Sequence, residues 1–200
     1  MGAVTAELKA QHRARLQAAR RELSTALHDA EARQLCDHLP AVVAGTRARV
    51  VCAYLPVGTE PGSEAMVARL LELCDEVLLP VARIDSSGGH LPLQWGRYAP
   101  GTLVAARFGL REPPPPWLPA EEVRRAAVIL VPALAVDRSG VRLGRGGGFY
   151  DRSLALCGPQ TRLMAVVRDD EVLDELPSEP HDIRMTHVLT PSAGVVRLRE

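Results

Sequence analysis

The sequence predicts an α/β fold: an open, mainly parallel sheet with helices on both faces. Three observations carry this. Short, almost wholly apolar runs at Arg49–Leu55 and Ala127–Val131 have the composition of strands buried on both faces, as in parallel sheets. A strand–loop–helix–strand order fills residues 49–81, the βαβ unit that favours parallel pairing. Stretches with apolar residues at three- and four-residue spacing alternate with the strand runs, as helices covering a sheet would.

At 200 residues, with 46% apolar and 4% aromatic content, the chain suits one large domain with a core of Leu, Val and Ala, taken as 1–200. Its 24 basic and 24 acidic residues leave a formal charge of zero, so no global field draws it to nucleic acid or a membrane. No apolar run reaches the roughly 20 residues of a membrane helix. The N-terminal MGAVTAELKAQHRARL lacks an apolar signal core and reads as structure rather than targeting. Cys36, Cys52, Cys74 and Cys157 are widely separated with no C-x-x-C pair, which argues against zinc and redox motifs and makes each a small buried apolar residue. The expectation is a soluble, cytoplasmic protein without nucleic-acid or membrane partners.

Along the chain, Thr5 to Leu39 is helix-rich, with Leu8, Leu16, Ala19, Leu23, Leu27, Ala30 and Leu35 at helical intervals. Ser24 is placed to start a second helix there. Arg20 and Arg21 read as a solvated face. After the strand at 49–55, Val57–Gly62 is loop by composition, and Ser63 caps a helix through Met66, Val67, Leu70, Leu71 and Leu73. Glu76–Val81 is the next strand. Leu91, Leu93 and Trp95 alternate as an outer strand would, and Pro113–Pro116 reads as a stiff surface connector. Ala127–Val131 is the clearest central strand. Asp151–Leu156 fits a short helix closed by Gly158-Pro159, and Leu163–Val167 and Met185–Thr190 are further strands.

The segment Val141–Arg152 concentrates the chemistry. Four glycines, at 144, 146, 147 and 148, lie among Arg142, Arg145, Phe149, Tyr150 and Asp151. Glycine backbone turns several N–H groups toward one anion, and a helix starting within 147–150 adds its unpaired N–H groups. The arginines supply donors for phosphate or carboxylate oxygens, and Asp151 beside bound phosphates suits Mg²⁺. The competing reading is a structural turn with an Arg142–Asp151 salt bridge. Neither G-x-G-x-x-G nor a P-loop is present. Ligands of such sheets bind beyond the carboxyl ends of strands, where the Glu60 loop and the glycine segment both fall.

These residues resemble the 5-formyltetrahydrofolate cyclo-ligases, also called methenyltetrahydrofolate synthetases. The family signature, Pro-small-Leu-Ala-x-Asp-x-x-Gly-x-Arg-Leu-Gly-x-Gly-x-Gly-aromatic-Tyr-Asp-Arg, is matched from Pro132 through Arg152. Lys9–Arg13 resembles the N-terminal Lys-x-x-Leu-Arg element with His12 in place of Leu. Ala53–Pro56 with Glu60, Gly109–Pro113, and Leu176-Pro177 through Thr190 resemble further family elements in order.

The resemblance implies a NagB/RpiA-like single domain that uses ATP and Mg²⁺ to convert 5-formyltetrahydrofolate, polyglutamylated or not, to 5,10-methenyltetrahydrofolate. The products are ADP and phosphate, and the route is a phosphorylated formyl (imino-phosphate) intermediate closed by N10. It further implies ATP contacts from Lys9, Arg13, Arg142, Leu143, Gly144, Arg145, Gly146, Gly147, Gly148, Phe149 and Tyr150, with segment 1–39 contributing to that site. Folate contacts come from Leu55, Glu60, Arg145, Gly146, Gly147, Gly148 and Phe149. Asp151 and Asp182 are the implied metal ligands, Arg145, Tyr150 and Asp151 the catalytic residues, and a monomer the expected state. Thr186 stands where the family often has an acid, which speaks against a metal or cap role there. His90, His181 and His187 have no mutual metal spacing and read as loop or surface histidines. A non-catalytic folate- or nucleotide-binding relative and an ATP-dependent enzyme acting on another formylated amine are the alternatives.

Overall fold

The computed structural model describes residues 2–46, 49–180 and 182–198; His181 lies outside them. The chain opens with three helices: α1 (Gly2–Arg21), α2 (Thr25–Asp37) and α3 (Leu39–Val43). Ser24 caps α2 as expected, its hydroxyl accepting from the Leu27 amide at 3.2 Å. Then follow β1 (Val50–Cys52), α4 (Glu64–Leu73), β2 (Glu76–Val81) and β3 (Gln94–Arg97). Ser63 holds the cap position of α4, but its side chain makes no capping bond. A small hairpin of β4 (Val104–Ala105) and β5 (Arg111–Glu112) precedes the 113–116 connector, which is exposed except at Pro113. The second half adds β6 (Val128–Pro132), β7 (Ala135–Asp137), β8 (Arg142–Leu143), α5 (Phe149–Leu154), β9 (Arg162–Val166), β10 (Val172–Leu173), β11 (His187–Thr190) and β12 (Gly194–Arg197).

The main sheet has seven strands in the order β12-β11-β9-β6-β1-β2-β3. The inner pairs are parallel, and only the edge strands β3 and β12 run antiparallel to their neighbours. Strand order reverses between β1 and β6: β1 leads outward to β2, whereas β6 leads the other way to β9 and β11. That reversal leaves a crevice at the carboxyl ends of β1 and β6.

The pleat sorts successive residues onto opposite faces. Val51, Val77, Leu79, Val128, Leu130, Met164 and Val166 pack with Leu35, Leu39, Val42, Met66, Val67 and Leu70 of α2, α3 and α4. Cys52, Leu78, Ile129, Val131 and Ala165 face the other way, toward Trp95, Val123, Leu154 and Met185. Both faces are therefore covered, as expected of near-continuous apolar strands. Of the four cysteines only Cys52 is fully buried; Cys36, Cys74 and Cys157 are half-buried, and all are free thiols. No helix among the described residues is long and apolar enough to cross a membrane.

The sequence did not separate out a second, three-stranded sheet, β10-β7-β8, that carries the signature segment. Leu16 of α1 packs on it with Leu134, Ala135, Val141, Leu143 and Leu176. Its turn is fixed by the buried Asp137, whose carboxylate accepts from the amides of Ser139, Val141 and Leu176 and from the Ser139 hydroxyl at 2.8–3.0 Å. Gly140 closes this turn at φ +89°, and a Cβ there would stand 2.3 Å from the Met185 carbonyl oxygen. Only glycine fits.

The expected apolar stripe of the first helices needs correction. Leu8, Ala19 and Leu27 are exposed. The inward side of α1 reads Lys9, Arg13, Leu16 and Arg20, three cations and one leucine at i, i+4, i+7 and i+11. Arg20, expected on a solvated face, is 2% exposed; it forms a bidentate pair with Glu171 at 2.6 and 2.7 Å and donates to the Ala133 carbonyl at 2.7 Å. A guanidinium so desolvated needs a counter-charge and acceptors of this kind. Arg21 is exposed as expected.

Candidate active site

Beyond the carboxyl ends of β1 and β6 lies a cavity of about 610 Å³. Leu55 and Glu60 reach it from the loop after β1, and Pro132 and Ala133 from the end of β6. Residues 142–151 form one wall as β8, a glycine loop and the start of α5, and Lys9 and Arg13 reach in from α1. Asp182 enters from the segment before β11. Every site residue inferred from the sequence therefore lines a single cavity, including Asp182, whose segment precedes its strand.

The glycine loop has the backbone that its composition implied. Gly148 takes φ +67°, left-handed, at the cap of α5, and a Cβ on it would stand 2.6 Å from the Arg152 guanidinium. Gly146 is also left-handed, at φ +96°. Arg13 fastens the loop to α1 by donating from Nε to the Gly144 carbonyl at 2.9 Å.

The charges of the cavity are arranged in pairs. Arg142, buried on β8, meets Asp151 at 2.8 Å, so the salt bridge of the plainer reading does exist, and it forms part of the cavity wall. Among the described residues, Arg142 Nε and the Tyr150 hydroxyl are buried without hydrogen-bond partners. Burial, with Glu60 adding to it and Arg142 opposing, pushes the Tyr150 phenol far above its ordinary pKa. This hydroxyl is therefore neutral and available as a donor, and it is unsuited to act as a base. Lys9 sits between Glu179 and Asp182, at 2.8 and 2.7 Å. Burial works against its ammonium form, but hydrogen bonds and charge from Asp182 and Glu179 outweigh it and raise the pKa above the usual lysine value.

Glu60 is buried, accepting from the Val57 amide at 2.9 Å and facing Arg145 at 3.2 Å. Burial raises its pKa above the ordinary carboxyl value, and Arg145 and the Val57 amide recover only part of that. Arg145 is half exposed, with its guanidinium spanning from the glycine loop to the Glu60 loop.

Several cavity residues escaped the sequence reading. His90 does sit on a loop, but it also lines the cavity: its ring stacks on Phe149 with centroids 4.2 Å apart and 15° between planes, and its Nδ1 lies 2.5 Å from the Gly147 carbonyl oxygen. Glu179 and Arg20 line the cavity as well. Nothing local in the sequence marks His90, which the bridge between Ile84 and His90 folds back toward the site. Thr186 serves backbone, its hydroxyl exchanging bonds with both the amide and the carbonyl of Leu163 at 3.0 and 3.1 Å.

Residues 5–191 match the model of the 5-formyltetrahydrofolate cyclo-ligase family. A 5-formyltetrahydrofolate cyclo-ligase of Mycolicibacterium smegmatis is 61% identical over 192 residues, covering 96% of this chain and 97% of that one. One of Escherichia coli is 31% identical over 162 residues, 80% of this chain and 86% of the relative. Among solved structures, the Aquifex aeolicus 5,10-methenyltetrahydrofolate synthetase is similar with a TM-score of 0.71 at 25% identity, covering 96% of this chain and 94% of that chain. The family match spans β1 to β11, the glycine loop and both ends of the cavity wall, and the chain belongs to the 5-formyltetrahydrofolate cyclo-ligase family.

Proposed function

We propose that this cavity converts 5-formyltetrahydrofolate to 5,10-methenyltetrahydrofolate at the expense of ATP. The observation that carries the reading is the meeting, in one cavity, of a cation-rich glycine loop with a buried carboxylate across from it. Lys9, Arg13, Arg142 and Arg145 are suited to the phosphates, and Glu60 to the N–H donors of a pterin, with Leu55 as an apolar wall.

In the proposed reaction the formyl oxygen attacks the γ-phosphorus, and the bond from that phosphorus to the oxygen of ADP breaks. The phosphorylated formyl carbon is then attacked by N10, which loses its proton as phosphate departs and the ring closes. Phosphorylation turns a poor leaving oxygen into a good one, and the protein's part is positioning and charge stabilisation. The orphaned Arg142 Nε and Tyr150 hydroxyl are unspent donors on the cavity wall, of the kind that a ligand oxygen satisfies. Tyr150, neutral and donating, suits the oxygens that gain charge during transfer. Arg145, half exposed and anchored at both loops, suits closure over the reacting groups.

No group of three or more His, Cys, Asp or Glu side chains fit to hold a metal occurs among the described residues. Asp151 and Asp182 are hard oxygen donors on the same cavity, which fits an Mg²⁺ that keeps waters and phosphate oxygens in the rest of its shell. Bound there, the ion would supply charge neutralisation for the phosphates. Asp151 would then be shared between the ion and Arg142, and Asp182 between the ion and Lys9.

The test mixes purified protein with ATP, Mg²⁺ and 5-formyltetrahydrofolate and follows the absorbance of the methenyl product. Growth of that absorbance only when ATP is present supports the reading. Intact folate and nucleotide binding with no ATP-dependent product would overturn it in favour of a binding protein.

A further inference from the structure

At the opposite end of the main sheet, a second concavity of about 460 Å³ opens on the surface. It lies where β9 begins with Arg162, β11 begins with His187, and the antiparallel β12 ends with Arg197, which faces His187 in the register. Arg184 comes in from the segment before β11, and Met185 and Leu198 supply apolar walls. Three arginines and a histidine thus line it, from three separate stretches of chain. Among the described residues no Asp or Glu lines the concavity.

Eleven arginines elsewhere pair with carboxylates: Arg20, Arg49, Arg69, Arg83, Arg97, Arg111, Arg125, Arg138, Arg142, Arg145 and Arg168. Arg162 and Arg184, like Arg13, Arg124 and Arg152, are held among the described residues by oxygens other than carboxylates. Arg162 donates through Nη1 to the Ala44 carbonyl at 2.8 Å, and Arg184 through its own Nη1 to the carbonyl and hydroxyl of Ser139 at 2.9 and 2.7 Å. These bonds orient each guanidinium through one nitrogen and leave its charge uncompensated among the described residues. The potential registers on His187: burial, then Arg162 and Arg197, hold its pKa below the ordinary histidine value. Its Nδ1 is engaged by the Thr186 hydroxyl at 2.8 Å, so Nε2 is the ring atom left for a ligand.

We propose that this concavity is a binding site for a compact, multiply charged oxyanion, held by Arg162, Arg184 and His187 at the end of the sheet away from the reaction cavity. Oriented guanidinium groups without carboxylate partners match phosphate and carboxylate oxygens alike, in forked hydrogen bonds that also carry charge. An anion seated between them relieves the mutual repulsion of the cations and favours the protonated imidazole.

The experiment follows the ring C–H resonances of His187 by NMR, assigned with His187→Gln, through a pH titration at constant ionic strength. The probes are inorganic pyrophosphate, citrate and, as control, chloride. An anion in the site raises the His187 pKa by about one unit or more, in a saturable way. The same shift should be lost, with at least tenfold weaker binding, in Arg162→Gln/Arg184→Gln, while Arg142→Gln at the reaction cavity leaves it intact. If the double variant fails to fold, Arg184→Gln alone, on an exposed side chain, gives the same comparison. A shift with pyrophosphate alone assigns a phosphate-type ligand, one with citrate alone a carboxylate ligand, and one with both a general oxyanion site. An unmoved His187 with both probes, or a shift that survives loss of the arginines, overturns the proposal. Turnover is not read, so either outcome is independent of the folate reading.

Discussion

Asp151→Asn perturbs the place where the fold and the proposed chemistry share an atom. The substitution keeps the shape but removes the charge that Arg142 faces at 2.8 Å. The Arg142 side chain is 6% exposed and Asp151 29%, so the cation stays buried while its lost partner was partly wet. What remains to Arg142 is a neutral amide oxygen at position 151, one long bond to the Pro132 carbonyl at 3.4 Å and the Tyr150 ring, 5.7 Å away. Removing one member of a fully buried pair costs about 3–5 kcal/mol, and the partial exposure of Asp151 brings the expectation down to about 2 kcal/mol. For a chain of this length that is a fall in Tm of about 4–8 °C, measured by thermal or urea unfolding. Adding Arg142→Met should restore part of the loss, with a coupling of about 1 kcal/mol or more. The same variant should require more Mg²⁺ for half-maximal turnover, because one proposed oxygen ligand is gone. A Tm within about 1 °C of wild type would refute the desolvated pair. Unchanged turnover with unchanged Mg²⁺ dependence would remove Asp151 from the metal.

Other perturbations separate the remaining roles. Because burial raises the pKa of Glu60 and Arg145 opposes the rise, Arg145→Met should lift it further and move the acidic limb of kcat/KM for the folate to higher pH; an unmoved limb contradicts their pairing. The sign for stability follows: a raised carboxyl contributes stability fully below its unfolded value near 4.5, lost as pH rises through the folded pKa, so Arg145→Met should lose more stability on going to neutral pH. Glu60→Gln should raise KM for the folate and leave that for ATP nearly unchanged; equal damage to both would dismiss Glu60 as the folate acid. His90→Phe keeps the stack on Phe149 but not the contact with Gly147, and His90→Gln does the reverse. If His90 positions the loop, each should retain part of the kcat lost in His90→Ala, and equal losses in all three would leave it a structural plug. Glu171→Gln strips the buried Arg20 of its counter-charge and should cost about 3–5 kcal/mol by urea unfolding, with a loss under about 1 kcal/mol refuting the buried pair.

Much of the architecture was legible locally because its signals are local. Val128–Val131 and Leu163–Val166 announce buried parallel strands by composition alone, and the glycine segment declares a loop that must approach something closely. The family signature then gathered Lys9, Glu60, the 142–151 segment and Asp182 into one site. Periodicity misleads in the first helices, where the apolar spacing points Leu8, Ala19 and Leu27 inward and the structure leaves them exposed. The hydrophobic pattern assumes that burial follows apolarity, whereas α1 buries Lys9 and Arg20 because carboxylates from Glu171, Glu179 and Asp182 come to meet them. Those partners lie 151 to 173 positions away, beyond any window of spacing.

By itself, then, the sequence determined the class of fold, the helix and strand runs, and the residue types of the site, since backbone preference, pleat alternation and glycine freedom act between near neighbours. Only the tertiary structure decided which charge faces which: that Arg142 faces Asp151 through one nitrogen, that Lys9 lies between two acids, and that Arg145 reaches across to Glu60. It alone brought His90 onto Phe149 and, among the described residues, left Arg162 and Arg184 without carboxylates at the far end of the sheet. The reason is physical. The worth of a charge or a ring depends on the solvent it loses and the partner it gains, and both are set by chain segments that meet only after folding.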